Sequence, residues 1–349
     1  MRIPVLLPLI MFCLTPHSAD AALAPANPQA SPRTRAVLDF IGSLEARTDK
    51  RLLSGQFTDY GTQASLELPE KIHLQTGHWP ALIGVDYAEF LDPDDSQKST
   101  LTSRVPNQVA IAYWRAGGLI TVNAHLYNPA KPHEGGLRDQ GVDLAGLLAP
   151  GTAMHQQWMQ ELDELAAGLQ ELREAGVVVL WRPFHEMNGG WFWWGKKDPA
   201  IFIRVWRHMF DYFTKAKGLD NLLWVYAPNH GDHTADYYPG DGYVDVVGLD
   251  VYTDFVDPEH VHGYAEVARL PKPFAFSEYS ARVPGKSPPP YDYRQFMPGL
   301  MANFPRAIYF MNWNAKWSPA NNQHAKELYN HPWVVNREDL PPGLTGGTP

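Results

Sequence analysis

Short apolar runs recur along the chain, separated by longer amphipathic or polar stretches. The runs are Arg51 to Phe57, Pro80 to Tyr87, Gly118 to Leu126, Val177 to Glu186, Asn221 to Asn229, Val244 to Tyr252, Lys272 to Ser280 and Ala307 to Asn314. Most are near-continuous in apolar, β-branched residues rather than alternating, which is the pattern of strands buried on both faces. The intervening stretches can hold helices. Met154 to Ala175 carries apolar residues at helical spacing and is stopped by Gly176. Asp198 to Lys217 opens with an Asp cap and Pro199 at the first helical position. Tyr291 to Asn303 and Asn321 to Tyr329 are shorter candidates, and an amphipathic stretch from Pro32 to Ala46 precedes the first run. Eight strand and helix alternations predict an α/β fold, a single closed (β/α)8 TIM barrel over residues 33–335. An open doubly wound sheet fits less well, because no glycine-rich phosphate loop follows the first strand.

The runs share a second regularity: apolar residues come first, and polar or aromatic groups come last. The ends are Gln56-Phe57, Asp86-Tyr87, Asn123 with His125, His185-Glu186, Asn229-His230, Asp250 with Tyr252, Glu278-Tyr279 and Trp313-Asn314. In a parallel barrel these ends meet on one face, where enzymes of this architecture keep their chemistry.

Composition narrows the partners. The 349 residues carry a net charge of -9 and no basic block, which argues against nucleic acid and anionic membranes. Hydrophobic residues make up 44%, enough for a large core. Aromatics reach 12%, with 12 Trp and 16 Tyr, which suits either a rich core or a cleft with stacking platforms. The N-terminus has Arg2, an apolar run from Ile3 to Leu14 and then small residues, a secretory signal pattern over residues 1–22 with Ala19 to Ala21 as the best cleavage motif. The lone cysteine, Cys13, lies inside it, and Phe12 before it is too large for a lipoprotein site. The mature chain is then expected to be secreted or periplasmic, with no disulfide, no thiol nucleophile and no membrane contact after cleavage. Residues 23–32 read as a flexible leader and 336–349 as a flexible tail; the default oligomeric state is a monomer.

Two glutamates end strands, Glu186 on the fourth and Glu278 on the seventh. Carboxylates across a barrel mouth suit glycoside hydrolysis: one protonates the departing oxygen while the other attacks the anomeric carbon or activates water. Taken singly, Glu186 could be an ion-pair partner of Arg182, and Glu278 a strand-end hydrogen-bonding group. Glu186 sits in WRPFHEMNGGWFWWG, Trp181 to Gly195, with four tryptophans and three glycines in fifteen residues. Indole rings cover the flat C–H faces of sugars, so the pair in this setting points to a sugar chain. HEMNG opens like a zinc-protease motif but lacks a second histidine four residues on. The loop cluster His230, Asp232, His233 and Asp236 reads as exposed polar residues, so no metal and no cofactor is expected. Asp86 and Tyr87 could bind a distal sugar or seal the barrel. Trp158, Trp206 and Trp224 read as core.

WRPFHEMNGGWFWWG resembles the acid/base segment of glycoside hydrolase family 26, the retaining β-mannanases, and FSEYS, Phe276 to Ser280, resembles its nucleophile strand. The resemblance covers roughly Arg51 to Trp317. It implies that Glu186 is the general acid and then the base, and that Glu278 is the nucleophile, with the carboxyl groups about 5–5.5 Å apart. It further implies that His185 contacts the sugar or orients the acid on the non-reducing side of the cut, with Trp191 lining the same region. Tyr252 would hydrogen-bond the nucleophile, Trp313 would be the platform beneath the reacting ring, and His125 a further polar contact. Arg182 would support the ionised nucleophile. One departure stands out: the family tends to place a tryptophan before the third-strand histidine, whereas here Asn123 and Ala124 precede His125, with Tyr127 as a partial replacement. The implied activity is endo-acting cleavage of β-1,4-mannosidic bonds in a polysaccharide or oligosaccharide. The same machinery on β-1,3-xylan or mixed-linkage β-glucan, and a non-catalytic carbohydrate-binding barrel, stay open.

Overall fold

The computed structural model describes residues 23–58, 60, 64–90, 99–131, 136–281 and 290–346. The signal segment, with Cys13, and the last three residues of the tail lie outside these. Eight strands form the barrel: β1 (Leu52–Phe57), β2 (Leu82–Asp86), β3 (Leu119–Asn123), β4 (Val179–Arg182), β5 (Leu222–Tyr226), β6 (Val246–Tyr252), β7 (Phe274–Ser280) and β8 (Ala307–Asn312). Each pairs in parallel with the next, and β8 closes on β1 through Leu53↔Tyr309 to Gln56↔Asn312. A short Val334–Val335 strand adds to β1 at its start. All eight runs thus carry a strand, and every residue of β1 to β5 and of β7 and β8 is buried, as strands covered on both faces must be.

The helices hold the outer layer. The longer ones are α1 (Pro32–Ser43), α2 (Glu67–Thr76), α3 (Arg104–Arg115), α4 (Ala153–Glu174), α5 (Pro199–Asp211) and α6 (Phe296–Asn303). In α4, Thr152 caps the N-terminus by accepting from the His155 amide, 3.1 Å. The apolar face of α4 then buries Trp158, Leu162, Leu165, Leu169 and Leu172, each contributing about 1.5–3 kcal/mol over an exposed position. Asp198 caps α5 through the Ala200 amide at 2.8 Å, with Pro199 in the first turn. The alternation is less regular than expected: among the described residues only a 3-10 turn, Asp241–Tyr243, lies between β5 and β6.

Both segments read as flexible pack against the barrel instead. Ala26 and Asn27 are buried: the Ala26 amide donates to Asp245 at 2.6 Å, and the Asn27 amide group donates to the Leu219 carbonyl. At the other end, buried Asn336 forms a reciprocal cap with Asp339, and Leu344 is buried. Asn336 also accepts from Ser54 on β1 at 2.9 Å, so the described parts of both segments contact the barrel.

A bulge on β7 sets the site. Leu249 of β6 pairs with Phe276, but the next residue, Asp250, pairs with Glu278, so Ser277 is the extra residue. Bulges re-aim side chains at barrel rims. Ser277 needs room, and Gly248 provides it: a Cβ there would lie 2.2 Å from the Ser277 Oγ.

Candidate active site

The fourth strand stops at Arg182, earlier than its apolar run suggests, because Pro183 has no N–H for the ladder. The next residues turn through left-handed backbone at Phe184 (φ 48°) and Glu186 (φ 57°). The Glu186 amide donates to the Ala227 carbonyl, 2.7 Å, which pins this turn to the end of β5. Glu186 is therefore raised from the barrel rim rather than carried on the strand.

Of the four tryptophans in this segment, three belong to the core. Trp181, Trp193 and Trp194 are fully buried, and Trp193 and Trp194 pack around Phe184 at 6.2 and 6.0 Å between ring centres. Trp158 and Trp206 join the same cluster, as core residues. The aromatic wealth mainly holds the loop down, a correction to its reading as pocket lining. Trp191 is the exception: it is half-buried, and its indole N–H donates to the Glu186 Oε2 at 2.5 Å. Gly189 makes this possible, since a Cβ there would meet the indole at 2.4 Å.

Glu278 is 3% exposed and accepts from the Arg182 guanidinium through one oxygen and the Tyr252 hydroxyl through the other. Arg182 spans the barrel interior. Its Nη1 bonds Asp250 at 2.5 Å, its Nε bonds the Asn123 side-chain oxygen at 2.8 Å, and its guanidinium lies 5.4 Å from the Phe57 ring centre. Ser277 donates to the second Asp250 oxygen, 2.7 Å. The structure thus joins Arg182, Tyr252 and Glu278 as expected and adds Asn123 and Asp250 to them.

The two glutamates sit in different electrostatic settings. Burial pushes the Glu186 carboxyl well above the usual carboxylate range; negative charge on Glu278 and then Asp250 adds to this, while the Trp191 N–H and Arg182 oppose it. Burial also raises Asp250, to about 7, against the pull of Arg182. For Arg182 burial works against the charge, but Asp250 and Glu278 outweigh it and hold the guanidinium protonated. Burial and the flanking carboxylates keep the Tyr252 hydroxyl protonated and so a donor.

A floor of rings lies on the side of β8, β1 and β3. Trp313, 6% exposed, packs edge-on against Phe57 at 5.0 Å and beside Tyr60 at 5.4 Å. Tyr60 lies 4.5 Å from His125, which in turn lies 4.5 Å from His185. His185 is 1% exposed and held neutral by burial, with Arg182 and His125 adding to this. Its carbonyl accepts from Trp194 Nε1 at 2.8 Å, so it braces the Glu186 turn from below. Tyr127 is 1% exposed, so it offers no sugar surface in place of the missing tryptophan. Tyr60 instead joins the ring floor beside His125 and Trp313; it was missed because it follows β1 by three residues, outside any apolar run. Asp86 and Tyr87 are buried and already bonded within the protein, to His125 and Asn107, which fits the sealing role. Among the described residues no group of three or more His, Cys, Asp or Glu side chains could hold a metal ion, and His233 pairs with Asp236 on the surface at 2.8 Å.

Known proteins resemble this chain in sequence and in fold. The chain is 36% identical to a mannan endo-1,4-beta-mannosidase of Bacillus subtilis, over 95% of this chain and 93% of that one. Its fold matches the structure of Bacillus subtilis mannanase man26 with a TM-score of 0.84 at 35% identity, covering 93% and 98% of the two chains. A beta-mannanase from a symbiotic protist of the termite Reticulitermes speratus, solved with a gluco-manno-oligosaccharide, matches at a TM-score of 0.72 and 27% identity over 91% and 97%. The family model for glycosyl hydrolase family 26 matches residues 26–339, which take in every strand of the barrel, and the chain belongs to that family.

Proposed function

We propose that this protein is a retaining, endo-acting glycosidase that cuts β-1,4-mannosidic bonds in mannan, galactomannan or glucomannan. The observation that carries the mechanism is the split between the two carboxyls. Burial beside negative charge pushes the Glu186 carboxyl up, which favours its protonated form, while Glu278 faces a guanidinium and a hydroxyl. Such a split assigns an acid and a nucleophile. In the first step Glu278 attacks the anomeric carbon, and Glu186 gives its proton to the glycosidic oxygen as that bond breaks. The product is a glycosyl ester on Glu278. Esterification removes the Glu278 charge that raised Glu186, so Glu186 becomes a stronger acid and its carboxylate persists to accept a proton. A water molecule then attacks the same carbon, passes its proton to Glu186 and releases Glu278, giving net retention.

The choice of mannan rests on the mannan-cleaving relatives and on the ring floor that Trp313 and Tyr60 present to a sugar face. The signal pattern of residues 1–22 adds export to this reading. The test is reducing-end release from linear mannan, galactomannan, glucomannan, β-1,3-xylan and mixed-linkage glucan, with Glu278→Ala beside the wild type. Release from the mannans, abolished by Glu278→Ala without loss of fold, is expected. Release only from xylan or glucan would overturn the sugar, and activity surviving in Glu278→Ala would overturn the nucleophile.

A further inference from the structure

Asp86 ends β2, is fully buried and receives three protein donors. Its Oδ1 accepts from the Ala88 amide at 2.9 Å and the His125 amide at 3.2 Å, and its Oδ2 accepts from His125 Nδ1 at 2.5 Å. Burial works against its charge, yet the facing His125 holds the carboxyl below its ordinary range. An ionised carboxylate only accepts, so His125 Nδ1 must carry a proton. In the neutral ring, Nε2 is then bare. That bare nitrogen lies 3.1 Å from His185 Nε2, and a contact of this length between two ring nitrogens needs one proton between them. His185 must supply it, which leaves His185 Nδ1 bare. His185 Nδ1 is in fact buried with no partner. A bare acceptor is the cheaper group to leave there, since orphaned buried N–H groups are rarer than under-satisfied acceptors.

His125 is also the hub of the ring floor. Tyr60 and His185 lie 4.5 Å from its ring centre, Phe192 5.4 Å and Trp313 6.1 Å. Fixing its plane and its proton therefore fixes the surface on which the reacting sugar rests and the residue that precedes the acid.

We propose that Asp86 is a positioning residue: without touching sugar, it sets the tautomers of His125 and His185 and orients the ring floor beside Glu186. The catalytic consequence rests on the glycosidase reading above; the tautomer assignment does not.

Asp86→Asn separates the two. Asn keeps the shape and one acceptor oxygen for the two backbone amides. Its NH2 then faces His125 Nδ1, which must become bare. The proton moves to His125 Nε2, and His185 must accept there and carry its own proton on Nδ1. The measurement is 15N NMR of the histidine rings at a pH where both are neutral. The wild type should show His125 protonated on Nδ1 and His185 on Nε2, and Asp86→Asn should exchange both. On mannan, Asp86→Asn should lower kcat by about 10- to 100-fold, the scale seen when the carboxylate partner of a metal-bound histidine is removed, with a smaller change in KM. Added to His125→Ala, it should cost nothing further, because its effect passes through that ring. A wild-type His125 protonated on Nε2 would overturn the assignment even if the variant failed to fold. Unchanged tautomers in Asp86→Asn, wild-type kcat, or additive losses in the double variant would overturn it as well. If no mannan is cleaved but the tautomers exchange as stated, the substrate reading fails and the assignment stands.

Discussion

Replacing Arg182 with methionine tests the arrangement at its centre. The guanidinium is 1% exposed and serves three partners at once: Asp250, Glu278 and Asn123. Methionine fills much of the same volume but removes the charge and every donor. Two carboxyls then stay buried without their cation. Removing one partner of a buried ion pair costs about 3–5 kcal/mol, far more than the net worth of the intact pair, because the remaining charge is left uncompensated. A chain of this length unfolds with an entropy of roughly 0.7 kcal/mol/K, at about 2.1 cal/mol/K per residue, so the midpoint should fall by about 4–7 °C. Activity should fall further, by at least about 100-fold in kcat/KM, because Glu278 loses its charged donor. The assay is thermal unfolding at pH 7 beside reducing-end release at a temperature where both proteins are folded. Adding Asp250→Asn to Arg182→Met removes one of the two carboxyls left crowded in the interior without their cation, and should recover part of the midpoint without restoring turnover. A shift below about 1 °C for Arg182→Met, or a further fall when Asp250→Asn is added, would refute the charge reasoning.

Three other outcomes follow from the same geometry. Glu186→Ala should lose nearly all activity on polysaccharide yet keep the first step on aryl glycosides whose leaving groups need no proton; equal loss on both substrate types would contradict the acid role. Trp191→Phe removes an N–H that favours ionised Glu186, so the Glu186 carboxyl should rise further. Activity requires the proton on Glu186 and is lost as pH climbs through its pKa, so the alkaline limb of kcat/KM should move to higher pH; an unmoved limb or one shifted to lower pH would count against the contact. Gly248→Ala drives a methyl group into Ser277, and overpacking of this kind costs about 1–3 kcal/mol. It should also displace the bulge that aims Glu278, so a melting shift with fully retained kcat would show that the bulge does not position the nucleophile.

The barrel was legible in the chain because its strands are buried on both faces, and burial on both faces leaves a continuous apolar run. The ends of those runs were legible for the same reason: where the run breaks into polar residues, the rim begins. That rule placed Glu186, Glu278, Tyr252, Trp313 and His125 at strand ends, close to the same rim in the structure. It missed Tyr60, which belongs to a loop and reaches the floor only through tertiary packing. It also overstated the tryptophans of the fourth segment, since composition cannot tell an indole facing a sugar from one facing Phe184. The proton placement on His125 and His185 was invisible as well, because it depends on residues 39 and 60 positions apart meeting in space.

The segment from Pro183 to Gly189 shows why such misses gather where the chemistry is. Local propensity argues against left-handed backbone at Phe184 and Glu186, and each such residue costs about 1–3 kcal/mol. The fold holds them there by tertiary means: Phe184 is wedged among Trp158, Trp193, Trp194 and Phe202, and the Glu186 amide is tied to Ala227. An extended continuation of β4 would alternate its side chains between the barrel interior and the helices, and would carry Glu186 along the rim instead of over it. The turn instead sets the carboxyl beside Trp191 and within the field of Glu278. The aromatic packing is therefore what stabilises a backbone that local preference opposes, and that backbone is what buries the Glu186 carboxyl and raises it.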